Sequence, residues 1–177
     1  TLECVFLKNV DVEDDTIFEN LNEINVSKCK NLRVIDIEQA GEKFTELDLS
    51  SNDKLNSLGL EGLRGLKQLK MPETDNLKEI VVKETALESL ALEKYTKLDK
   101  VCVGGNQFDI LKINMEQKTE KDIENMYLLF DNNLKVEFIS SKSGIVPNIK
   151  RLDNHNLWAG IVFSNYVVTD YEIPECW

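Results

Sequence analysis

Carboxylates dominate the residues of this chain that could do chemistry, because the other reactive side chains are scarce. The 177 residues include 32 Asp and Glu but one histidine and four cysteines. His155 stands between two asparagines with no Ser or Cys motif nearby, and the cysteines show no C-x-x-C or Cys/His spacing. Zinc sites need clustered Cys or His, and a triad needs histidine beside a nucleophile. We therefore expect no metal site, no cofactor and no catalytic residues.

The densest carboxylate group is the acidic run from Asp11 to Asp15. It lacks the alternating Asp/Asn positions and the glycine of a calcium-binding loop, so it is interpreted as a solvated turn. A glycosidase, a calcium site or a surface for a basic partner would each need carboxylates brought together by the fold. Which carboxylates meet depends on the elements that position them.

A repeat with a period of about 11 residues predicts those elements. The pattern L-x-x-L-x-L, with any large apolar residue at the L positions, occurs nine times between Leu21 and Ile113. All 27 L positions are apolar in a chain that is 42% apolar, which chance does not produce. The units begin at Leu21, Leu32, Phe44, Leu55, Leu66, Leu77, Leu87, Leu98 and Phe108.

Each unit ends in a short polar–apolar alternation, such as Glu46-Leu47-Asp48-Leu49, which is typical of a strand. A unit of this length cannot hold a strand and a packed helix, so two units are expected to form one coil of roughly 22 residues. Strands of alternate units would then stack into two parallel sheets with the apolar residues between them. One unit alone would not fold, but a stack would.

The corner of each coil offers a second check on the repeat. Leucine-rich repeats place an Asn or Cys three residues beyond the last apolar position of the strand, where it satisfies backbone groups. Asn and Cys fit this role here, Thr could serve similarly, and Leu63 and Tyr95 do not fit. The residues at these corners are Cys29, Ala40, Asn52, Leu63, Thr74, Thr85, Tyr95 and Asn106.

The stretch Phe44-Thr-Glu-Leu-Asp-Leu-Ser-Ser-Asn52, followed by Leu55-Asn-Ser-Leu-Gly-Leu60, resembles the bacterial leucine-rich repeats that carry a nested half-repeat. The resemblance covers Leu21 to Glu116, with departures at the variable corners and at the lengthened loop from Glu38 to Lys43. It implies a mainly β, right-handed leucine-rich-repeat solenoid of short parallel strands. It also implies an adhesion or protein-recognition role at a bacterial surface, and it carries over no catalytic residues.

The two ends of the chain are expected to differ from the solenoid at 21–116. Residues 1–20 are interpreted as an irregular N-terminal coil, because Leu2-Glu-Cys-Val-Phe-Leu7 is another unit at a longer spacing. Residues 117–177 are interpreted as a mixed α/β C-terminal cap that contains both tryptophans as packing residues. In the cap, Thr119 to Asp122 predicts a helix start, and strands are expected at 134–138 and 161–168. The helix is expected to carry Ile123, Met126, Tyr127 and Phe130 on one face.

The outward residues of the stacked strands are the candidate site. One sheet is expected to carry Glu23, Glu46 and Asp48 close together, followed by Gln68 and Lys70. Such a ladder could contact a basic partner or calcium, and the plainer interpretation is a solvated face of an acidic protein. These five residues are the predicted partner-binding residues.

The cysteines bear on the chemistry of the surface. Cys29 is expected to be a buried thiol at a corner, and Cys102 is expected to face outward on a strand. If disulfides form, Cys4–Cys29 and Cys102–Cys176 are the feasible pairs.

Charge and pattern restrict the function. The net charge of −11 disfavours nucleic acid and anionic membranes as partners, and no apolar run is long enough to cross a bilayer. The favoured hypothesis is a non-catalytic module that binds a protein or a glycan and is secreted or held at the cell surface after loss of a signal segment. The alternatives are a spacer within a longer repeat protein and, because β-solenoids host such enzymes, a carbohydrate-active enzyme.

Overall fold

The structure, a computed structural model, describes residues 2–7, 18–131, 134–140, 147, 149–152, 161–163 and 166–168. Within these ranges short strands alternate with turns, and one short helix is present. The elements in chain order are β1 (Cys4–Leu7), β2 (Val34–Glu38), β3 (Glu46–Asp48), β4 (Ser57–Glu61), β5 (Gln68–Lys70), β6 (Glu79–Lys83), β7 (Lys100–Gly104), β8 (Ile110–Asn114), α1 (Glu120–Asn125), β9 (Tyr127–Asp131), β10 (Lys135–Ile139), β11 (Ile149–Leu152), β12 (Ile161–Phe163) and β13 (Tyr166–Val168).

One side of the molecule is a seven-stranded sheet in which every neighbouring pair of strands is parallel. Its order is β1-β2-β4-β6-β7-β9-β11, so successive strands come from successive coils of the chain. Leu58, for example, lies opposite Ile80, one coil later. The prediction of a mainly β solenoid of parallel strands is therefore confirmed, and the unit at Leu2 forms the first strand of this sheet.

The core lies between the two sides and contains the apolar residues of the repeat. Of the 27 predicted inward positions, 23 are buried. Burial of such side chains contributes roughly 1.5–3 kcal/mol each before the cost of ordering the chain. The four that are only partly buried are Leu21, Ile24, Leu69 and Met71.

The second side is interrupted, unlike the continuous ladder predicted from the repeat. It consists of a two-stranded sheet, β3-β5, and a four-stranded sheet, β8-β10-β12-β13. No strand is present at 23–25 or 89–91, both within the described part of the chain. Ser89-Leu90-Ala91 contains no β-branched or aromatic side chain, but neither do β3 and β5, so composition does not explain this missing strand. At 23–25, Asn25 accepts hydrogen bonds from Ser27 in the same way that Asp48, at the end of β3, accepts them from Ser50, so these bonds do not account for the missing strand.

The C-terminal region keeps the parallel stacking farther than the sequence pattern indicated. Helix α1 begins at the predicted capping box of Thr119 and Asp122 but ends at Asn125. The prediction that Tyr127 and Phe130 lie on this helix is wrong, because both belong to β9, which pairs with β7. The longer register step from Lys100 to Tyr127 accommodates the helix between two strands of one sheet.

The predicted strand at 134–138 is confirmed as β10, one residue later in the chain. The segment 161–168, predicted as one strand, contains the two antiparallel strands β12 and β13. The run from Asp11 to Asp15, His155, both tryptophans and Cys176 lie outside the described residues.

Corner residues connect each coil to the one before it. The side-chain amide of Asn52 donates to the carbonyls of Val26 and Cys29, and that of Asn106 donates to the carbonyl of Val82. Tyr95 does not fit the corner residue of the repeat pattern, yet it performs the same role. Its buried hydroxyl donates to the carbonyl oxygen of Pro72 at 2.7 Å. A phenol reaches the backbone where an amide is absent.

The structure corrects two of the expectations for the cysteines. Cys4 and Cys29 are both free thiols, and Cys29 is partly rather than fully buried. Cys102, expected to be exposed, is 3% exposed even though its strand position faces away from the core. The proposed partner of Cys102, Cys176, lies outside the described residues.

Candidate binding face

Strands β3 and β5 bring four of the five predicted partner-binding residues together. Their parallel register places Glu46 opposite Gln68 and Asp48 opposite Lys70, and all four side chains are exposed. Glu23 is also exposed but lies on no strand, so the prediction that it joins this ladder is wrong. We call the exposed side of Glu46, Asp48, Gln68 and Lys70 the β3–β5 face.

Asp48 is the most strongly held carboxylate on this face. Its Oδ1 accepts hydrogen bonds from the Ser50 hydroxyl at 2.6 Å and the Ser50 amide at 3.0 Å, and Lys70 Nζ lies 3.1 Å from its Oδ2. These contacts, with the Ser50 hydroxyl contributing most, lower the pKa of Asp48 from 3.8 to about 2. A general acid needs a raised pKa, so Asp48 is unsuited to that role in glycoside hydrolysis.

A cleft of about 570 Å³ lies beside β5, where the strand predicted at 89–91 is missing. We call it the β5 cleft. Its volume lies within the range of about 300–1,000 Å³ that is typical of ligand-binding sites. The small side chains of Ala86 and Ser89 form part of its wall, which explains why space remains between the coils. Its lining consists of Lys67, Gln68, Leu69, Lys70, Ala86, Leu87, Glu88, Ser89 and Gln107.

The backbone of β5 is open toward this cleft. Gln68 donates its N–H to Thr45, and the carbonyl of Lys70 accepts from Leu49, so both residues bond to the β3 side. Successive residues of a strand direct their backbone groups to opposite edges, so the N–H and C=O of Leu69 point to the other edge. In the two-stranded sheet that the described residues form here, β3 is the neighbour of β5. Sequence reasoning did not find this edge.

A second depression, of about 310 Å³, lies near α1, and the buried lysine Lys118 is one of the residues that line it. The Lys118 side chain is 5% exposed, and its Nζ lies 2.9 Å from Asp99 Oδ1. Lys78 and Lys97 add positive charge to the lining, and Asp99 and Asp122 add negative charge. Because the opposite charges are so evenly mixed, the β5 cleft is the stronger candidate for ligand binding.

Other kinds of site are poorly supported in the part of the chain that the structure describes. Those residues contain no group of three or more His, Cys, Asp or Glu side chains placed to hold a metal ion. Their single helix is also too short and too polar to cross a membrane.

Comparisons with protein-family models, with curated proteins and with solved structures each gave no significant match.

Proposed function

We propose that this chain is a non-catalytic binding module of the leucine-rich-repeat type, which contacts a protein or a glycan through the β3–β5 face and the β5 cleft. The observation that carries the proposal is the position of the cleft, which opens directly beside Gln68 and Lys70 on a face of exposed side chains. The repeat pattern and its asparagine corners support the leucine-rich-repeat type. Right-handed coiling is part of the same proposal.

A secreted or surface-anchored location in a bacterium accompanies this proposal. It is supported by the resemblance of residues 21–116 to nested bacterial repeats. The acidic composition suits a soluble module in contact with solvent, since the net charge of −11 opposes association with itself and with anionic surfaces.

The absence of catalysis is proposed from the electrostatics of the face. Asp48 is held ionised by Ser50 and Lys70, and the side chains of Glu46 and Asp48 are both exposed to solvent rather than enclosed by apolar side chains. Two such carboxylates do not provide the acid and base that glycoside hydrolysis uses.

The proposal is tested by replacing side chains of the β3–β5 face with alanine and comparing the result with a control replacement on the seven-stranded sheet. The variant E46A/D48A/Q68A/K70A removes the exposed side chains of the face and leaves its buried residues in place. The control E79A/K100A removes an opposed pair from the outer surface of the seven-stranded sheet. Both variants and the wild-type chain are immobilised and screened against secreted proteins, surface proteins and a glycan array.

The proposal predicts a ligand that the wild-type chain and the E79A/K100A control retain and that the four-alanine variant loses. A ligand held equally by all three proteins would refute binding through this face. Hydrolysis of an arrayed glycan by the wild-type chain would refute the non-catalytic assignment.

A spacer within a longer repeat protein is the second candidate, and one observation favours it. Among the described residues, the exposed large apolar side chains are Leu2 and Phe6, and both lie at the edge strand β1. An edge of this kind can receive a further strand. Substitution of Phe6 by aspartate should leave binding by the β3–β5 face intact if the face is the functional surface.

A further inference from the structure

We propose that the β5 cleft receives an extended acidic peptide, which pairs with the open edge of β5 as an added strand. This inference rests on the proposed function, because it assigns a partner chemistry to the same face. Strand addition is a general mode of peptide recognition, in which main-chain hydrogen bonds hold the peptide and alternate side chains occupy pockets.

The backbone of Leu69 provides the hydrogen-bonding groups for this pairing. Its N–H and C=O point away from β3, and no backbone hydrogen bond joins β5 to residues 86–92, all of which the structure describes. The next coil does not cover this edge of β5, since a cleft of about 570 Å³ lies between them. A peptide strand pairs at about 4.8 Å from its neighbour, so it would lie within the cleft.

Exposed apolar surface at the floor of the cleft favours a peptide with apolar side chains. Leu69, which lines the cleft, is a predicted inward position, yet it is only partly buried. Its counterpart one coil earlier, Leu47, is 1% exposed. An apolar side chain on the added strand would remove the surface of Leu69 from water and complete the layer that the missing strand leaves open.

Charge at the cleft favours acidic residues at the alternate positions of the peptide. Lys67 and Lys70 lie on one wall, and Glu88 is the acidic residue of the lining. Lys70 already contacts Asp48, whereas Lys67 is exposed beside the cleft. The lining thus carries one more basic than acidic side chain on a chain of net charge −11, so this charge selects the register of an acidic peptide more than it strengthens overall binding.

A glycan is the less favoured occupant. It can accept hydrogen bonds from Lys67, Gln68 and Gln107, but it cannot match the strand-like spacing of backbone groups along β5. Since the lining includes no aromatic ring, it also offers no flat apolar surface for a sugar face.

The test uses the whole chain and a defined probe, a fluorescein-labelled peptide of four Glu-Val repeats. Its affinity is measured by fluorescence anisotropy for the wild-type chain, for S89W, which fills the cleft from its far wall, and for S57W, a matched control on the seven-stranded sheet. Thermal unfolding verifies that both variants fold. The same peptide with all of its backbone nitrogens methylated keeps its side chains and loses every N–H donor that could pair with the edge of β5. A four-repeat Lys-Val peptide tests the charge preference.

Strand addition predicts that S89W and backbone methylation each weaken binding by about tenfold or more, and that S57W does not. It also predicts that the Lys-Val peptide binds at least as weakly as the methylated one. Equal binding of the methylated and unmethylated Glu-Val peptides would overturn strand addition and leave the proposed function standing as side-chain recognition. If the Glu-Val peptide fails to bind while a glycan or protein still depends on the β3–β5 face, the peptide assignment is wrong and the proposed function survives.

Discussion

Asn52 connects two successive coils through a single side chain, since its Nδ2 lies 3.0 Å from the carbonyl oxygen of Val26 and 3.1 Å from that of Cys29. The residue is fully buried, so these bonds form where water cannot replace them. Such corners supplement the apolar core by pairing backbone groups that the turns between strands leave open.

Replacement of Asn52 by alanine should destabilise the chain by about 1–3 kcal/mol, because two carbonyl groups lose a donor at a buried corner. The matched control is N76A, since Asn76 Nδ2 also donates to a backbone carbonyl, that of Asp53, but at an exposed position. The control should change stability by about 0.5 kcal/mol or less. Urea denaturation measures both, and equal effects would show that the burial of the corner is unimportant.

Tyr95 should make the stability of the chain sensitive to alkaline pH. Burial, followed by the charges of Glu73 and Asp75, raises the pKa of Tyr95 above its ordinary value of about 10. Because the folded pKa exceeds the unfolded one, the stability that neutral Tyr95 contributes is complete below about pH 10 and is lost as the pH rises beyond it. Y95F should cost about 1 kcal/mol near pH 7, through the lost bond to Pro72, and should flatten the decline above pH 10. Parallel pH curves for the two proteins would contradict this.

The pKa of Asp48 should depend more on Ser50 than on Lys70. An NMR titration of the Asp48 carboxyl should give a pKa of about 2 in the wild-type chain. We expect S50A to raise this pKa more than K70A does, since it removes the Ser50 hydroxyl, which contributes most to the lowered pKa, although the backbone amide of residue 50 still donates. The folded pKa is depressed, so any stabilisation by Asp48 is present above about pH 4 and is lost as the pH falls toward 2. A larger effect of K70A would show that the ion pair dominates.

Gly65 should tolerate substitution poorly because the coils approach closely there. A Cβ at this position would overlap the backbone carbonyl of Glu42, which cannot move without shifting a coil. G65A should cost about 1–3 kcal/mol. The matched control is G59A, where the Cβ would meet the side-chain carboxylate of Asp36, a group that can rotate away. In thermal denaturation, G59A should have a higher melting temperature than G65A. The opposite order would contradict the close approach of the coils at Gly65.

The solenoid could be predicted because its core repeats at a fixed spacing and burial imposes that spacing on the sequence. Leu47 lies opposite Leu69, and Leu58 opposite Ile80, as the repeat requires. The pairing of Glu46 and Asp48 with Gln68 and Lys70 followed from the same register. Glu23 is the exception, because no strand forms at 23–25 although the repeat pattern there matches that of β3.

The remaining errors arise where a pattern is compatible with two structures. Ile123, Met126, Tyr127 and Phe130 have helical spacing, but a helix of six residues followed by a strand buries the same side chains. Tyr95 fits no consensus for a corner because the reach of its hydroxyl depends on where Pro72 lies. The β5 cleft could not be predicted from the sequence pattern, because it depends on the spacing between two coils rather than on the residues of either coil alone.

Amide hydrogen exchange of the unliganded wild-type chain tests whether the edge of β5 is open. An open edge predicts that the Leu69 amide exchanges rapidly, at least tenfold faster than the amides of Gln68 and Lys70, which face β3. It also predicts slow exchange at Leu58 and Ile80, which lie within the seven-stranded sheet. A Leu69 amide as protected as that of Ile80 would mean that the edge is already paired, and the binding cleft would be lost with it.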